Sequence, residues 1–179
     1  MTSGASTGAK AKVDPKVNER INQAMALIRA QRTMVLATGT GAESWAAPVY
    51  YVFSAPGFYF FSSPTARHIE QALAGGTAAA AIFYDSDQWE QIQGVQMSGT
   101  VTLVRKRAEQ LKAGARFIIK FPFAKPFFKT GAQESGEPPQ LGDKVKLYAF
   151  IPKSAYYVNN QLGFGKRLPI DLWLGNMKH

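Results

Sequence analysis

From Gly94 to Val104 hydrophobic and polar residues take turns: Val95, Met97, Val101 and Leu103 alternate with Gln96, Ser98, Thr100 and Thr102. A period of two sends successive side chains to opposite faces of a strand, so this segment is the clearest predicted strand. Shorter runs give the same reading at Thr33–Thr40, Trp45–Phe53, Phe58–Ser62, Ala78–Tyr84, Lys144–Ile151 and Ala155–Val158. Turn residues separate several of them, notably Gly39-Thr40-Gly41-Ala42 and Ala55-Pro56-Gly57. Pro48 inside the second run conflicts with a central strand and predicts a bulge or an unpaired edge.

Helical periodicity is rarer. Val17, Ile21, Met25 and Ile28 recur at helical spacing behind Asp14-Pro15, a capping side chain followed by proline at the first helical position. A helix is predicted over 15–31, with two more at Pro64–Ala74, ended by Gly75-Gly76, and at Ala108–Lys120. Phe121–Phe128 is aromatic and broken by Pro122 and Pro126, and Thr130–Asp143 reads as a loop, a lid or a linker. Strands that follow one another through turns alone cannot form a parallel sheet, which needs a crossover after nearly every strand. The expectation is a mainly β chain with peripheral helices, an antiparallel barrel or sandwich.

Composition narrows the chemistry. The 179 residues are 46% hydrophobic, enough for one packed domain. Residues 1–13 read as a disordered tail and 14–179 as a single domain. No apolar run approaches the roughly 20 residues of a membrane-spanning helix, and the first residues lack the apolar segment of a signal peptide, so a cytoplasmic protein is expected. With no cysteine, disulfides, thiolate metal sites and cysteine nucleophiles are excluded. The two histidines, His68 and His179, are too few for a histidine zinc site, and no Gly-x-Ser-x-Gly elbow occurs. Asp85-Ser86-Asp87-Gln88-Trp89-Glu90 lacks the continuation of a calcium loop and reads as a surface turn. Gly39-Thr40-Gly41-Ala42 is followed by a strand where a dinucleotide fingerprint requires a helix. If chemistry occurs, a cofactor carries it.

The formal charge is +9, and eight basic residues fall between Arg105 and Lys129 against a single acid, Glu109. Such a face suits an acidic partner such as nucleic acid, or is simply solvated.

One segment concentrates binding chemistry. Phe58-Tyr59-Phe60-Phe61-Ser62-Ser63-Pro64-Thr65-Ala66-Arg67-His68 runs from an aromatic strand through a hydroxyl-bearing turn into a helix start. Free backbone amides and the dipole at a helix N-terminus favour an anion, and an arginine adds a planar fork of donors. Ser62, Ser63, Thr65, Arg67 and His68 are the candidate phosphate ligands.

This order of elements, with Phe58–Ser62 leading to Ala66-Arg67-His68, resembles the pyridoxamine 5′-phosphate oxidase-like superfamily of FMN-binding split barrels. Gly94-Val95-Gln96-Met97-Ser98-Gly99 and Leu162-Gly163-Phe164-Gly165-Lys166 are similar to a family of small, little-characterised bacterial split-barrel proteins. The likeness spans Gln31 to Leu172. It implies a six- to seven-stranded antiparallel split β-barrel and a homodimer with FMN at the interface. By the same resemblance, Ser62, Arg67 and His68 take the phosphate, with His68 standing where the superfamily has lysine. Pro48, Val49, Tyr50 and Tyr51 would run along the isoalloxazine, near Gln96 and Ser98. Lys166 and Arg167 are expected to contact cofactor or substrate, or to be turn residues in water.

The superfamily's oxidases carry a glutamine five residues before the glycine equivalent to Gly99. Here that position is Gly94, and Gln96 lies three before. Their C-terminal Arg-x-His has no match in Asp171–His179, which argues against vitamin B6 oxidation. The reading is therefore an FMN-dependent oxidoreductase of open substrate. The alternatives are a non-catalytic binding module using the 105–129 face, and a haem-binding split barrel with His68 as a ligand.

Overall fold

In the computed structural model the described residues are 14–127 and 145–173. The expected tail over 1–13 and the loop Thr130–Asp143 lie outside them. In chain order the elements are α1 (Pro15–Ala30), β1 (Thr33–Thr40), β2 (Glu43–Tyr50), β3 (Val52–Ser54), β4 (Gly57–Ser62), α2 (Arg67–Gly75), β5 (Ala78–Tyr84), β6 (Gln93–Leu103), α3 (Arg107–Lys120), β7 (Lys146–Asn159) and β8 (Arg167–Pro169). As expected, Asp14 caps α1, accepting from the Lys16 amide at 2.8 Å.

The strands form one antiparallel sheet in the order β2-β1-β5-β6-β7-β4-β3, with β8 added to β7. The two ends of that path, β2 and β3, are consecutive in the chain. The sheet therefore curls until its edges are joined through a single residue, Tyr51, and the result is the expected split barrel. Inside it, α1 and α2 pack on an aromatic-rich core that includes Phe58, Phe60, Phe150 and Tyr157.

Three details depart from the sequence reading. The predicted strand Trp45–Phe53 is two strands on opposite edges. Tyr51 leaves the ladder because its amide donates to the Arg32 carbonyl and its hydroxyl to the Ile28 carbonyl, at 3.3 and 2.6 Å. Of the two expectations for Pro48, the edge holds: it makes no bulge, pairs in register with Val35, and β2 is an edge strand, where a missing N–H is tolerated. The two strands expected at 144–151 and 155–158 are one, β7, which continues through Pro152. Proline cannot donate to the ladder, and the register with β6 shifts between Ser98 and Gly99, opposite that break. The short β8 was not foreseen.

The sheet is covered unevenly. Behind β4 and β7, α3 buries a second cluster containing Tyr59, Ala113, Phe117, Phe121, Leu147 and Ala149, so β4 and the first half of β7, through Phe150, are buried on both faces. Among the described residues, no helix packs on the outer face of β2, β1, β5 and β6. Ala46, Ala37, Ala79 and Ser98 are directly paired across these four strands, and all are exposed. Pro48, Val35, Ala81 and Gln96 form the next such row.

Candidate functional site

Two features meet at one corner of the molecule. The first is the start of α2. Ser62 ends β4, and residues 63–66 form a tight turn closed by the Ala66 amide on the Ser63 carbonyl at 3.1 Å. The helix starts at Arg67, three residues later than the sequence suggested, because the Ser63–Ala66 turn intervenes. Its N-cap, Ala66, has no side chain able to cap, so the first turn is closed only by Ile69 and Glu70 amides on the Ala66 carbonyl. Among the described residues, the Arg67 and His68 amides have no backbone acceptor. An uncapped helix start with free donors is the physical requirement for holding an anion. Glu70 in the first turn is the opposing charge.

The hydroxyls beside it are paired with one another. Ser63 Oγ and Thr65 Oγ1 are 2.9 Å apart, and Ser62 Oγ is 2.8 Å from His68 Nε2. Partial burial lowers the His68 pKa below the usual imidazole value, so the ring is neutral at pH 7. The helix is held in place from behind: Thr38 on β1 donates to the buried Gln71 side chain at 3.0 Å, and Gly76 ends α2 in the left-handed region at φ 66°.

The second feature is a trough of about 690 Å³ on the bare face of the sheet, lined among others by Ala37, Gly39, Ala46, Ala79 and Ser98. It is hollow because its floor is alanine, glycine and serine in four adjacent strands. Its size falls within the usual range of small-molecule sites. Glu43 and Trp45 line its end, and these two residues hold Arg67. The guanidinium donates to Glu43 Oε2 at 2.8 Å and lies 4.7 Å from the Trp45 ring centroid. Arg67 thus links the α2 start to the rim of the trough. Ser62, Ser63, Thr65 and His68 do not line the trough itself.

The remaining candidates divide. Pro48 lies on the bare face, one row from the trough floor. Val49 is buried. Tyr50 turns to α3's far end, edge-on to Phe121 and Phe123 at 5.2 and 5.5 Å. Tyr51 is fully buried in the core. Gln96 and Ser98 lie on the bare face but three strands removed from β2, about 14 Å at ordinary strand spacing. Gln96 accepts from Arg167 Nε at 3.0 Å. Lys166 is in a turn, its amide on the Gly163 carbonyl and its side chain lying back over Gly163. Glu43 and Trp45 were not singled out from the sequence, because nothing local ties them to a residue more than twenty positions later. The alternating small residues Ala37, Gly39, Ser44 and Ala46 were the available signal for the trough.

The sequence pattern of the pyridoxamine 5′-phosphate oxidase family matches residues 21–140. The chain belongs to this family. Among family-like relatives, the UPF0306 protein of Yersinia pseudotuberculosis is 28% identical over 143 residues, covering 79% of this chain and 86% of that one. A haem-binding protein from Mycobacterium smegmatis shares the fold with a TM-score of 0.66 at 18% identity, over 90% of this chain and 60% of that one. A FAD-binding protein from Mesorhizobium loti does so with a TM-score of 0.56 at 13% identity, over 75% of this chain and 91% of that one. The family fold therefore serves flavin in one neighbour and haem in another. Among the described residues, no helix is long and apolar enough to cross a membrane.

His68 gives a test of the α2 start as a phosphate site. A neutral imidazole must take up a proton to pair with phosphate, so a phosphate held there, with FMN as the probe, should bind more tightly as pH falls from 8 towards 6.5. The His68→Lys variant should lose that slope and bind more tightly at pH 8. Fluorescence titrations across this range check it. The same lowered pKa has a stability consequence of known sign: the unfolded chain takes the proton more readily, so stability is lost as pH falls below about 6.5.

Proposed function

We propose that this chain binds FMN at a homodimer interface and acts as a flavin-dependent oxidoreductase. The observation that carries the reading is the uncapped start of α2, with two free amides, three neighbouring hydroxyl residues and Arg67 standing at the rim of the trough. The residues fit the group. Ser62, Ser63, Thr65 and the Arg67 and His68 amides are donors for the phosphate, and Arg67 turns from Glu43 to meet it. The bare edge of β2 from Pro48 offers unpaired backbone groups to a flat ring. The floor of small side chains lets such a ring, or the flat face of a second copy, approach the sheet closely. A second copy laid on this face would shut out water. Bound FMN supplies hydride transfer, and no side chain here is a dedicated acid or base.

The test is titration of the purified protein with FMN, followed by quenching of flavin fluorescence, with the mass measured by light scattering. Saturable one-per-chain binding to a dimer is expected. A monomer that leaves flavin fluorescence unchanged would overturn the proposal.

One observation favours haem as a second reading: the haem-binding fold neighbour, with His68 as the ligand once its ring leaves Ser62 Oγ. The absorption spectrum of the protein as purified separates the two, by flavin bands or a Soret band.

A further inference from the structure

A second groove lies on another side of the molecule and shares no lining residue with the trough. It has a volume of about 460 Å³ and runs between the end of α1 (Ile28, Arg29), the β3 edge (Val52, Phe53) and the last turns of α3 (Arg116, Ile119, Lys120). Its floor and one wall are apolar. Ile119 stands 78% exposed on its rim. Its charged groups are all cationic. Arg29 and Arg116 line it, and so does Lys120, which donates to the Gln31 carbonyl at 2.6 Å and sits 4.3 Å from the Tyr51 ring centroid. Arg32 stands over the Phe121 and Phe123 rings, close enough to disfavour the charge on Lys120. None of these four cations forms an ion pair among the described residues.

Like charges gathered around an apolar cleft repel one another, and burial adds to the cost. Lys120 registers both, with its pKa lowered to about 8 by burial first and by Arg32 second. An anion seated among them relieves the repulsion, and an apolar tail covers Ile28, Val52, Phe53 and Ile119. Inorganic phosphate would use only the cations, and a neutral lipid only the floor. From this pairing of apolar floor and cationic rim, we infer that the groove binds a single-chain amphiphilic anion, a carboxylate on an alkyl tail. The site gives the cationic segment 105–129 a specific use, through Arg116 and Lys120, in place of a nucleic-acid face.

The experiment is calorimetric titration of the full chain with decanoate below its micelle concentration, alongside decanol, acetate and inorganic phosphate. Decanoate is expected to bind about tenfold more tightly than any of the other three, since several partly exposed charge pairs each contribute modestly. The Arg29→Gln/Arg116→Gln variant, with both changes on exposed positions, should fold normally, keep its response to FMN and lose about fivefold or more in decanoate affinity. Equal binding of decanoate and decanol, equal binding of decanoate and acetate, or an unchanged variant would each overturn the inference. So would sedimentation with phosphatidylglycerol vesicles without decanoate binding, which would mark a membrane-surface patch instead.

Discussion

Replacing Arg67 with alanine should weaken FMN binding about 10- to 100-fold while barely changing stability. A charge-assisted hydrogen bond to phosphate is worth about 1.5–3 kcal/mol, and a paired, planar guanidinium sits at the upper part of that range. The ion pair that Arg67 makes in the free protein does not offset this. Both side chains are largely exposed, at 45% and 70%, and exposed pairs contribute about 0–1 kcal/mol. The phosphate, carrying close to two charges, should displace Glu43. Glu43→Gln should therefore tighten FMN by a few-fold at most, and Arg67→Lys should recover only part of the loss, since an ammonium lacks the fork. Flavin fluorescence titration of the three variants gives the affinities, and thermal unfolding shows that the fold is intact. Unchanged affinity in Arg67→Ala would remove the phosphate from the start of α2. It would also leave the decanoate groove untouched, because no residue is shared.

Gly99→Ala should destabilise the protein by about 2–4 kcal/mol. At this position β6 changes register against β7, and the two backbones come unusually close. A Cβ added here would meet the Ile151 carbonyl oxygen and would stand 2.9 Å from Pro152 Cα. These are backbone atoms inside a ladder that is paired on both sides, so they cannot swing away as a side chain could. The neighbouring Ser98→Ala, on the exposed face, should stay within about 0.5 kcal/mol. Urea unfolding of both variants measures the difference. A cost under about 1 kcal/mol for Gly99→Ala would mean that the bulge is free to relax.

Much of the architecture was legible along the chain. Alternation in Gly94–Val104, helical spacing behind Asp14-Pro15 and the Gly75-Gly76 stop each place an element close to where it occurs. The hydroxyl bend leading into Arg67 was visible because all its parts lie within seven residues. Other features were hidden by the nature of the signal. Trp45–Phe53 reads as one strand because the same run of β-forming residues continues through Tyr51. Only the burial of that ring, with its hydrogen bond to the Ile28 carbonyl, shows that the chain crosses there from one sheet edge to the other. The run Ala78–Ala81 has no polar partner residues, so it carries no information about which alanine faces water. Pro152 looks like a strand end, yet the register shift opposite it lets β7 pass through.

By itself, then, the sequence determined that the chain folds as strands with few helices, that no thiol chemistry occurs, and that one short segment has the donors to hold an anion. These are properties of composition and of near neighbours, which a linear pattern carries. Tertiary structure decided what those donors face. It set Ala46, Ala37, Ala79 and Ser98 side by side across four strands, turned Arg67 towards Glu43 and Trp45, and gathered Arg29, Arg116 and Lys120 around an apolar cleft. Each of these depends on register between distant segments, and register is fixed only when the whole sheet curls and buries one face.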